Sequence, residues 1–138
     1  MADYLHSDLT GQIISAYYAV FHRLRHQRAG YNEDNLAQAL AVELRTRGLR
    51  VRTQVRVPRR YRGRRIGTDQ VDLVVNETVP VEVKRVRSLT ERHESQLRAY
   101  LLDGGWAVGL LVNFGSAQPQ VRRLYEPTHD PTRQGTQR

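Results

Sequence analysis

The sequence predicts a single α/β domain, more specifically an α+β fold, with two helices, three strands, a third helix and a fourth strand in chain order. Two periodicities indicate this class. Apolar residues recur at three- and four-residue spacing in some segments, and alternate with polar residues in others. The chain has 138 residues, a length that suits one domain with its own core.

Three segments have the apolar spacing of amphipathic helices. Ser7 or Thr10 is expected to cap the start of the first helix, and Gly48 follows the second where a left-handed residue would end it. The third is followed by two glycines. The predicted helices cover about residues 9–28, 33–47 and 89–103.

The predicted strands are shorter and richer in β-branched residues. The first alternates valine or threonine with arginine or glutamine, and Pro58 is expected to end it. The next two are joined by a short turn at residues 76–78. Beyond Tyr125 the sequence has no apolar period, so we predict a domain over residues 1–125 and a disordered tail over 126–138. The strands cover about residues 51–57, 70–75, 79–86 and 107–114.

The composition favours an anionic partner. The formal net charge is +8 and the pI is about 10.6, and a field of that sign attracts polyanions such as nucleic acids. With no cysteine, the chain forms neither disulfides nor a thiolate zinc site. It shows neither a signal-peptide pattern nor an apolar run long enough to span a membrane, so we expect a cytoplasmic protein.

Ten arginines and no acidic residue lie between Arg45 and Arg65. This segment is a candidate clamp for a phosphate backbone, and the alternative is a solvated basic face that only keeps the protein soluble. Tyr61 is its single aromatic residue, which disfavours a stacking platform for single strands. The candidate nucleic-acid-binding residues here are Arg56, Arg59, Arg60, Arg62, Arg64 and Arg65.

Lysine is used once among 22 basic residues, at Lys84 in the run Val81-Glu82-Val83-Lys84. Arginine and lysine replace each other where only charge is needed, so a single lysine indicates a position that requires a compact ammonium. An arginine-rich genome that leaves one lysine by chance is the alternative.

A hairpin with its turn at residues 76–78 places Asp72 directly across from Glu82. An apolar layer then forms on the opposite face and fixes the side that carries the acids and Lys84. Its residues are Val71, Leu73, Val75, Val79, Val81 and Val83. Facing carboxylates repel unless a cation lies between them, and a divalent ion such as Mg²⁺ is one explanation. Ordinary cross-strand ion pairs with Lys84 or an arginine are the other.

The order of elements and five stretches together resemble the PD-(D/E)xK nuclease superfamily, and within it the GxxExxY proteins. The stretches are GYNE at residues 30–33, GTDQVDLVV at 67–75, VPVEVKR at 79–85, HESQLRAYL at 93–101 and GLLVNF at 109–114. The resemblance implies a restriction-endonuclease-like core, with a central mixed sheet flanked by helices. It also implies a nuclease that uses Mg²⁺ or Mn²⁺ to hydrolyse phosphodiester bonds.

The resemblance further assigns roles to residues. Asp72 and Glu82 would bind the metal, with the Val83 carbonyl and Glu33 as further ligands, and Lys84 would be catalytic beside them. The pair four residues apart on the third helix, Gln96 and Tyr100, would point at the site. Gln96 is expected to position the lysine or the phosphate, and Tyr100 to contact nucleic acid.

Other functions stay open at this point. The chain could be a non-catalytic nucleic-acid-binding module on a nuclease-like scaffold, or a partner subunit of a larger complex. DNA is the favoured nucleic acid over RNA, and a homodimer or a partner protein is possible. His22 and His26 lie four apart on the first helix but lack a third ligand, so a surface histidine pair is the simpler interpretation.

Overall fold

The computed structural model describes residues 5–136, and within that range five strands form one mixed sheet in the order β1-β2-β3-β4-β5. Neighbouring strands are antiparallel except β3 and β4, which are parallel. The predicted fold class is therefore confirmed. The helices are α1 (Ser7–Arg23), α2 (Glu33–Thr46) and α3 (Glu91–Gly104). The strands are β1 (Val51–Tyr61), β2 (Arg64–Val75), β3 (Val79–Lys84), β4 (Val108–Asn113) and β5 (Gln120–Tyr125).

The sheet separates two apolar cores. The first lies under α1 and α2 and includes Leu73, Val81 and Val83, and the second lies under α3. Val71 packs into the second core with Val74, so the apolar layer predicted to run unbroken from Val71 is interrupted next to Asp72. Alternation along β3 consequently directs Glu82 away from the first core and towards the α3 side.

Helix boundaries follow the sequence closely at α2 and α3. The start of α2 has a reciprocal cap between Asn32 and Asn35, and Gly48 has the left-handed φ of 87° predicted for it. Helix α1 ends at Arg23, five residues before its predicted end, and a 3₁₀ turn follows at Arg28–Gly30. Its start is also different, because left-handed His6 occupies the N-cap and makes no side-chain capping bond.

The first strand does not end at Pro58, as the sequence predicted, but continues into a β-ribbon that carries many of the clustered arginines. Strand β1 continues through Pro58 to Tyr61, which the fold tolerates because β1 is an edge strand and its proline need not donate to a neighbour. Left-handed Arg62 and Gly63, with φ of 51° and 78°, form the two-residue turn. We call residues 59–68 the arm.

The chain after β4 has more structure than the sequence predicts. Strand β5 was not predicted, and it pairs antiparallel with β4. The chain then forms 3₁₀ turns at Pro127–His129 and Pro131–Thr136, where a disordered tail was expected. Asp130 explains the difference, because it is buried and accepts hydrogen bonds from the Tyr125 hydroxyl and from the Thr132 backbone.

Over residues 5–136, none of the helices has the length and apolarity that crossing a bilayer requires.

Candidate active site

The junction between β2 and β3 brings two carboxylates together. Backbone pairing between β2 and β3 follows the predicted register, and the last pair is Leu73 with Val81. One residue further along, side chains replace backbone partners. The Asp72 N–H donates to Glu82 Oε1 at 3.0 Å, and the Val83 N–H donates to Asp72 Oδ2 at 2.8 Å. We call this reciprocal arrangement of Asp72 and Glu82 the carboxylate seam.

Burial makes the charge of the seam costly. Glu82 is 4% exposed, and desolvation, followed by repulsion from Asp72, raises its pKa from 4.5 to about 8. Desolvation also raises the pKa of Asp72, against the hydrogen bond from Val83 and the charge of Lys84, which lower it. The pair therefore retains a proton more readily than isolated carboxylates do, and titrates as a unit.

Lys84 is the cation nearest to the seam. As the last residue of β3, it places its Nζ 3.7 Å from Glu82 Oε2 and donates to Gln96 Oε1 at 3.2 Å. Its side chain is 15% exposed, which leaves the ammonium partly accessible from solvent. One lysine faces two carboxylates, so the site carries excess negative charge when both are ionised.

Helix α3 positions Gln96 on the same side of the sheet as the side chains of Glu82 and Lys84. A capping box at Thr90 and His93 sets the start of the helix, and burial of Leu97 and Leu101 in the second core fixes its rotation. Because these contacts hold α3 against the sheet, Gln96 reaches the lysine that the sequence analysis paired with it. The helix thus supplies a neutral acceptor at a position where a third acid would add repulsion.

Tyr100 does not have the predicted contact surface. It is 3% exposed in the second core, and desolvation, with further contributions from Glu82 and Asp69, raises its pKa to about 12. A ring so buried cannot stack on bases, so the expected nucleic-acid contact is wrong. Its helix face does point towards the site, as the four-residue spacing from Gln96 predicts.

Glu33 lies beside the seam but is held by the backbone. It begins α2, and its Oε2 accepts a hydrogen bond from the Arg85 N–H at 2.9 Å, one residue beyond Lys84. Its charge contributes to the raised pKa of both Asp72 and Glu82, so it lies within electrostatic reach of them. Among the described residues, however, no three His, Cys, Asp or Glu side chains are arranged to hold a metal ion. Over residues 5–136, Glu33 therefore lies near the acid pair without forming one ligand cluster with it.

Asn113 is a site residue that the sequence analysis missed. It ends β4, is fully buried, and its side chain bonds both the N–H and the C=O of Val86 and accepts from the Gly115 N–H. These bonds fix the backbone two residues after Lys84. A single amide inside the apolar run GLLVNF was the available signal, because a buried asparagine requires several partners.

Gln54 marks a second feature that the sequence did not indicate. The recorded pairing between β1 and β2 skips from Thr53–Leu73 to Val55–Val71, and Gln54, which falls opposite Asp72, has a φ of 51°. A left-handed glutamine is strained backbone, and such strain concentrates at functional sites. The irregularity coincides with the change of core between Leu73 and Val71.

The arm separates its arginines into two groups. Arg59 forms ion pairs with Asp69 at 2.9 Å and Asp103 at 3.7 Å, so it fastens the base of the arm. Arg65 donates to Thr68 within the arm. The remaining candidates are exposed and have no acidic partner among the described residues. They are Arg56, Arg60, Arg62 and Arg64.

The tip of the arm also exposes two large apolar side chains. Pairing shifts from Arg59–Gly67 to Arg60–Arg65, which leaves Ile66 unpaired in a bulge. Ile66 is 69% exposed and Tyr61 is 65% exposed. Both side chains are therefore accessible at the surface of the arm.

A mixed sheet with helices on both faces, and an acid pair with a lysine where β2 and β3 meet, define a nuclease-like scaffold. The comparison with protein families gives the same answer. Residues 7–124 match the model of the PD-(D/E)XK nuclease superfamily, and the chain belongs to that superfamily.

Comparison with solved structures supports the fold. The chain is similar to the protein in "Crystal structure of SSO0001", with 20% sequence identity and a TM-score of 0.50. The match covers 78% of this chain and 62% of that one, so the chain spans less than two thirds of its length. No curated protein matches the sequence.

Proposed function

We propose that this protein is a nuclease that hydrolyses phosphodiester bonds with Mg²⁺ or Mn²⁺. The observation that carries the proposal is the carboxylate seam with Lys84 at its side. A buried and a half-buried acid held together at the cost of raised pKa values are expensive for a purely structural junction. Their cost is explained if the site works with a bound cation.

The residues present fit a hard divalent ion. Two carboxylates and a nearby lysine leave excess negative charge, and oxygen is the donor that Mg²⁺ and Mn²⁺ prefer. Mg²⁺ is commonly bound through one or two carboxylates together with substrate phosphate, so the absence of a three-acid cluster among the described residues does not conflict with it. Asp72 and Glu82 would hold the ion, and we propose Glu33 and the Val83 carbonyl as further ligands.

The bound ion would supply Lewis-acid polarisation of the scissile phosphodiester. The protein's own residues would do the rest. Lys84 would orient the attacking water and stabilise charge that develops on the phosphate. Gln96 would hold the ammonium in place through the hydrogen bond already formed, and Asn113 would fix the chain that follows it. Gln96 and Asn113 therefore act as positioning residues.

We propose duplex DNA as the substrate class. The arm is a two-stranded ribbon with exposed Arg60, Arg62 and Arg64 at its tip. The major groove of B-form DNA, about 12 Å wide, admits such a ribbon, whereas the major groove of A-form RNA is too narrow for side chains to read. Arginines on the ribbon would contact phosphates and give salt-sensitive affinity with little sequence preference.

Within the superfamily, we propose the GxxExxY proteins as the subgroup. The support is sequence-based, from Gly30 and Glu33 and from the stretches that contain Asp72 and Lys84. Leu36, which stands at the position of the tyrosine that names the subgroup, is fully buried in the first core. An apolar residue there is consistent with the packing of α2.

A degradation screen tests the proposal. Labelled single- and double-stranded DNA and RNA are incubated with protein and EDTA, Mg²⁺ or Mn²⁺, and Glu82→Gln serves as the inactive variant. Glu77→Gln is a matched control, because it makes the same chemical change on the exposed turn of the same hairpin. We expect metal-dependent cleavage by wild type and Glu77→Gln, and none by Glu82→Gln.

The alternative is a non-catalytic nucleic-acid-binding module. Its support is that Glu33 is engaged by the backbone and that no three-acid cluster forms among the described residues. Duplex binding without cleavage in any metal, and a melting temperature indifferent to Mn²⁺, would favour this module. A melting temperature that Mn²⁺ raises in wild type but not in Asp72→Asn would support the metal site.

A further inference from the structure

A cavity of about 340 Å³ lies between the end of α1 and the loop that joins β4 to β5. It is lined by Phe21, His22, Arg25, Arg28, Ala117 and Gln118. Its volume falls at the lower end of the range for small-molecule sites, about 300–1,000 Å³. None of these residues belongs to the carboxylate seam or to the arm.

Arg28 contributes an unusual group to this cavity. Its guanidinium carbon lies 3.9 Å from the centroid of the Phe21 ring, so one face of the group is covered by the aromatic ring. Its Nη1 atom is buried and has no hydrogen-bond partner among the described residues. A buried guanidinium nitrogen without an acceptor is costly, and such a group commonly indicates an ion or ligand that completes it.

The rest of the lining has matching chemistry. Arg25 lies 3.2 Å from His22 Nδ1 through its Nη2 atom, which leaves its other guanidinium donors for a ligand. Gln118 adds an amide, and none of the described residues that line the cavity is acidic. Two arginines, a histidine and an amide around one small cavity make a donor-rich site of positive charge, which suits a compact oxyanion.

The cavity lies close to the chain segment that leaves the candidate active site. Arg85, the residue after Lys84, donates from Nη1 to the Ala29 carbonyl at 3.5 Å, next to Arg28. From the other side, Gly115 approaches Val86 so closely that an added Cβ would lie 2.5 Å from its backbone. One segment that frames the cavity thus contacts Arg85, and the other contacts Val86.

We propose that this cavity binds a phosphate monoester, the group found at the end of a nucleic-acid strand or on a free nucleotide. Arg28 and Arg25 would donate to its oxygens, and stacking on Phe21 would hold the Arg28 guanidinium in place. A phosphate monoester carries close to two negative charges at neutral pH and three acceptor oxygens, whereas an internal phosphodiester carries one charge. The site would therefore distinguish a phosphorylated end from the interior of a strand.

Binding in EDTA tests this without any cleavage. Short fluorescent duplexes that carry a 5′-phosphate, a 3′-phosphate or only hydroxyl ends are titrated with protein, and inorganic phosphate and AMP are tested by thermal shift. We expect at least one phosphorylated end to bind about 10-fold more tightly than the hydroxyl end. Arg28→Ala and Arg25→Ala should both reduce that preference to about 2-fold or less.

Arg23→Ala is the matched control, because Arg23 is an exposed arginine on the last turn of α1 that does not line the cavity. If Arg28→Ala fails to fold, exposed Arg25 still gives the answer. Tighter binding of phosphorylated duplex ends, without stabilisation by AMP, would identify a strand end as the ligand. Stabilisation by AMP, without a preference for phosphorylated duplex ends, would identify a free nucleotide. Equal affinity for phosphate and hydroxyl ends, with no thermal shift from phosphate or AMP, would overturn the proposal, as would equal losses in Arg23→Ala and Arg25→Ala. An inactive nuclease would leave the result intact, since no step requires cleavage.

Discussion

Strand β2 carries an exposed basic region at its start and a half-buried acidic residue, Asp72, nearer its end. In the arm, Arg60, Arg62 and Arg64 have no acidic partner among the described residues and are free to meet a polyanion. In the carboxylate seam, Asp72 and Glu82 each bond the backbone of the opposite strand. The effect of the arm depends on how many arginines it has, so that each one is individually replaceable. The effect of the seam depends on where its two acids lie and how deeply they are buried.

The largest expected effect follows from removing one charge of the seam. Glu82→Gln keeps the shape of the side chain and an acceptor for the Asp72 N–H but removes the negative charge that we propose holds the cation. We expect cleavage to fall by about 1,000-fold or more. Single-turnover cleavage at saturating protein measures it, and residual activity within 10-fold of wild type, roughly 1.4 kcal/mol, would contradict the proposed role.

Stability should also depend on pH through this residue. The pKa of Glu82 is about 8 in the folded protein against 4.5 ordinarily, so the folded state binds the proton more tightly between these values. The free energy of unfolding without metal should therefore fall as pH rises from about 4.5 to 8, by on the order of 3 to 5 kcal/mol.

Urea unfolding at a series of pH values measures this dependence. Glu82→Gln should flatten most of the slope and be more stable than wild type at pH 8. Mn²⁺ should restore wild-type stability at the same pH. A wild-type slope that survives unchanged in Glu82→Gln would place its origin in another group.

Lys84→Arg tests whether the seam needs an ammonium or only a positive charge. The larger planar guanidinium cannot occupy the same position between Glu82 and Gln96, so we expect cleavage to fall by about 100-fold, with little change in melting temperature. Arg85→Lys is the matched control, since it makes the reverse exchange at the next residue. If both variants cleaved as fast as wild type, Lys84 would have no special role.

The smallest effects are expected in the arm. Arg60→Ala, Arg62→Ala and Arg64→Ala should each weaken duplex binding by about 3-fold and reduce the salt slope by about 1. Cleavage at saturating substrate should stay unchanged, which separates binding from chemistry. Arg59→Ala should instead lower the melting temperature, because Arg59 pairs with Asp69 and Asp103. If Arg59→Ala and Arg60→Ala had the same effects on duplex binding and melting temperature, the division of the arm arginines into binding and structural residues would be wrong.

The parts of the fold that local patterns determine were predictable from the sequence. The register of β2 on β3 followed from the turn at residues 76–78 and from burial of Leu73 and Val81, and it is the observed one. Strand β5 could not be predicted in this way. Its apolar residues Val121 and Leu124 are separated by two arginines, and β4 supplies the pairing that the sequence pattern does not indicate.

Long-range contacts account for the other differences. Pro58 looked like the end of a strand because only the sheet shows that β1 is an edge. Tyr100 looked accessible because helix spacing gives a direction but not a depth. Asn113 could not be selected from the sequence because its partner, the Val86 backbone, is distant along the chain. Arg28 could not be selected because the cavity that it lines forms only in the fold.

The two reciprocal hydrogen bonds of the seam have a consequence for how this architecture could change over evolutionary time. Since each acid also bonds the backbone of the neighbouring strand, a related protein without nuclease activity would still be selected to keep both acids, or their amides. The lysine has no such duty in holding the sheet and could drift to arginine, the residue this chain uses everywhere else. Among divergent copies, retention of that single ammonium is therefore a better marker of a working enzyme than retention of the acids.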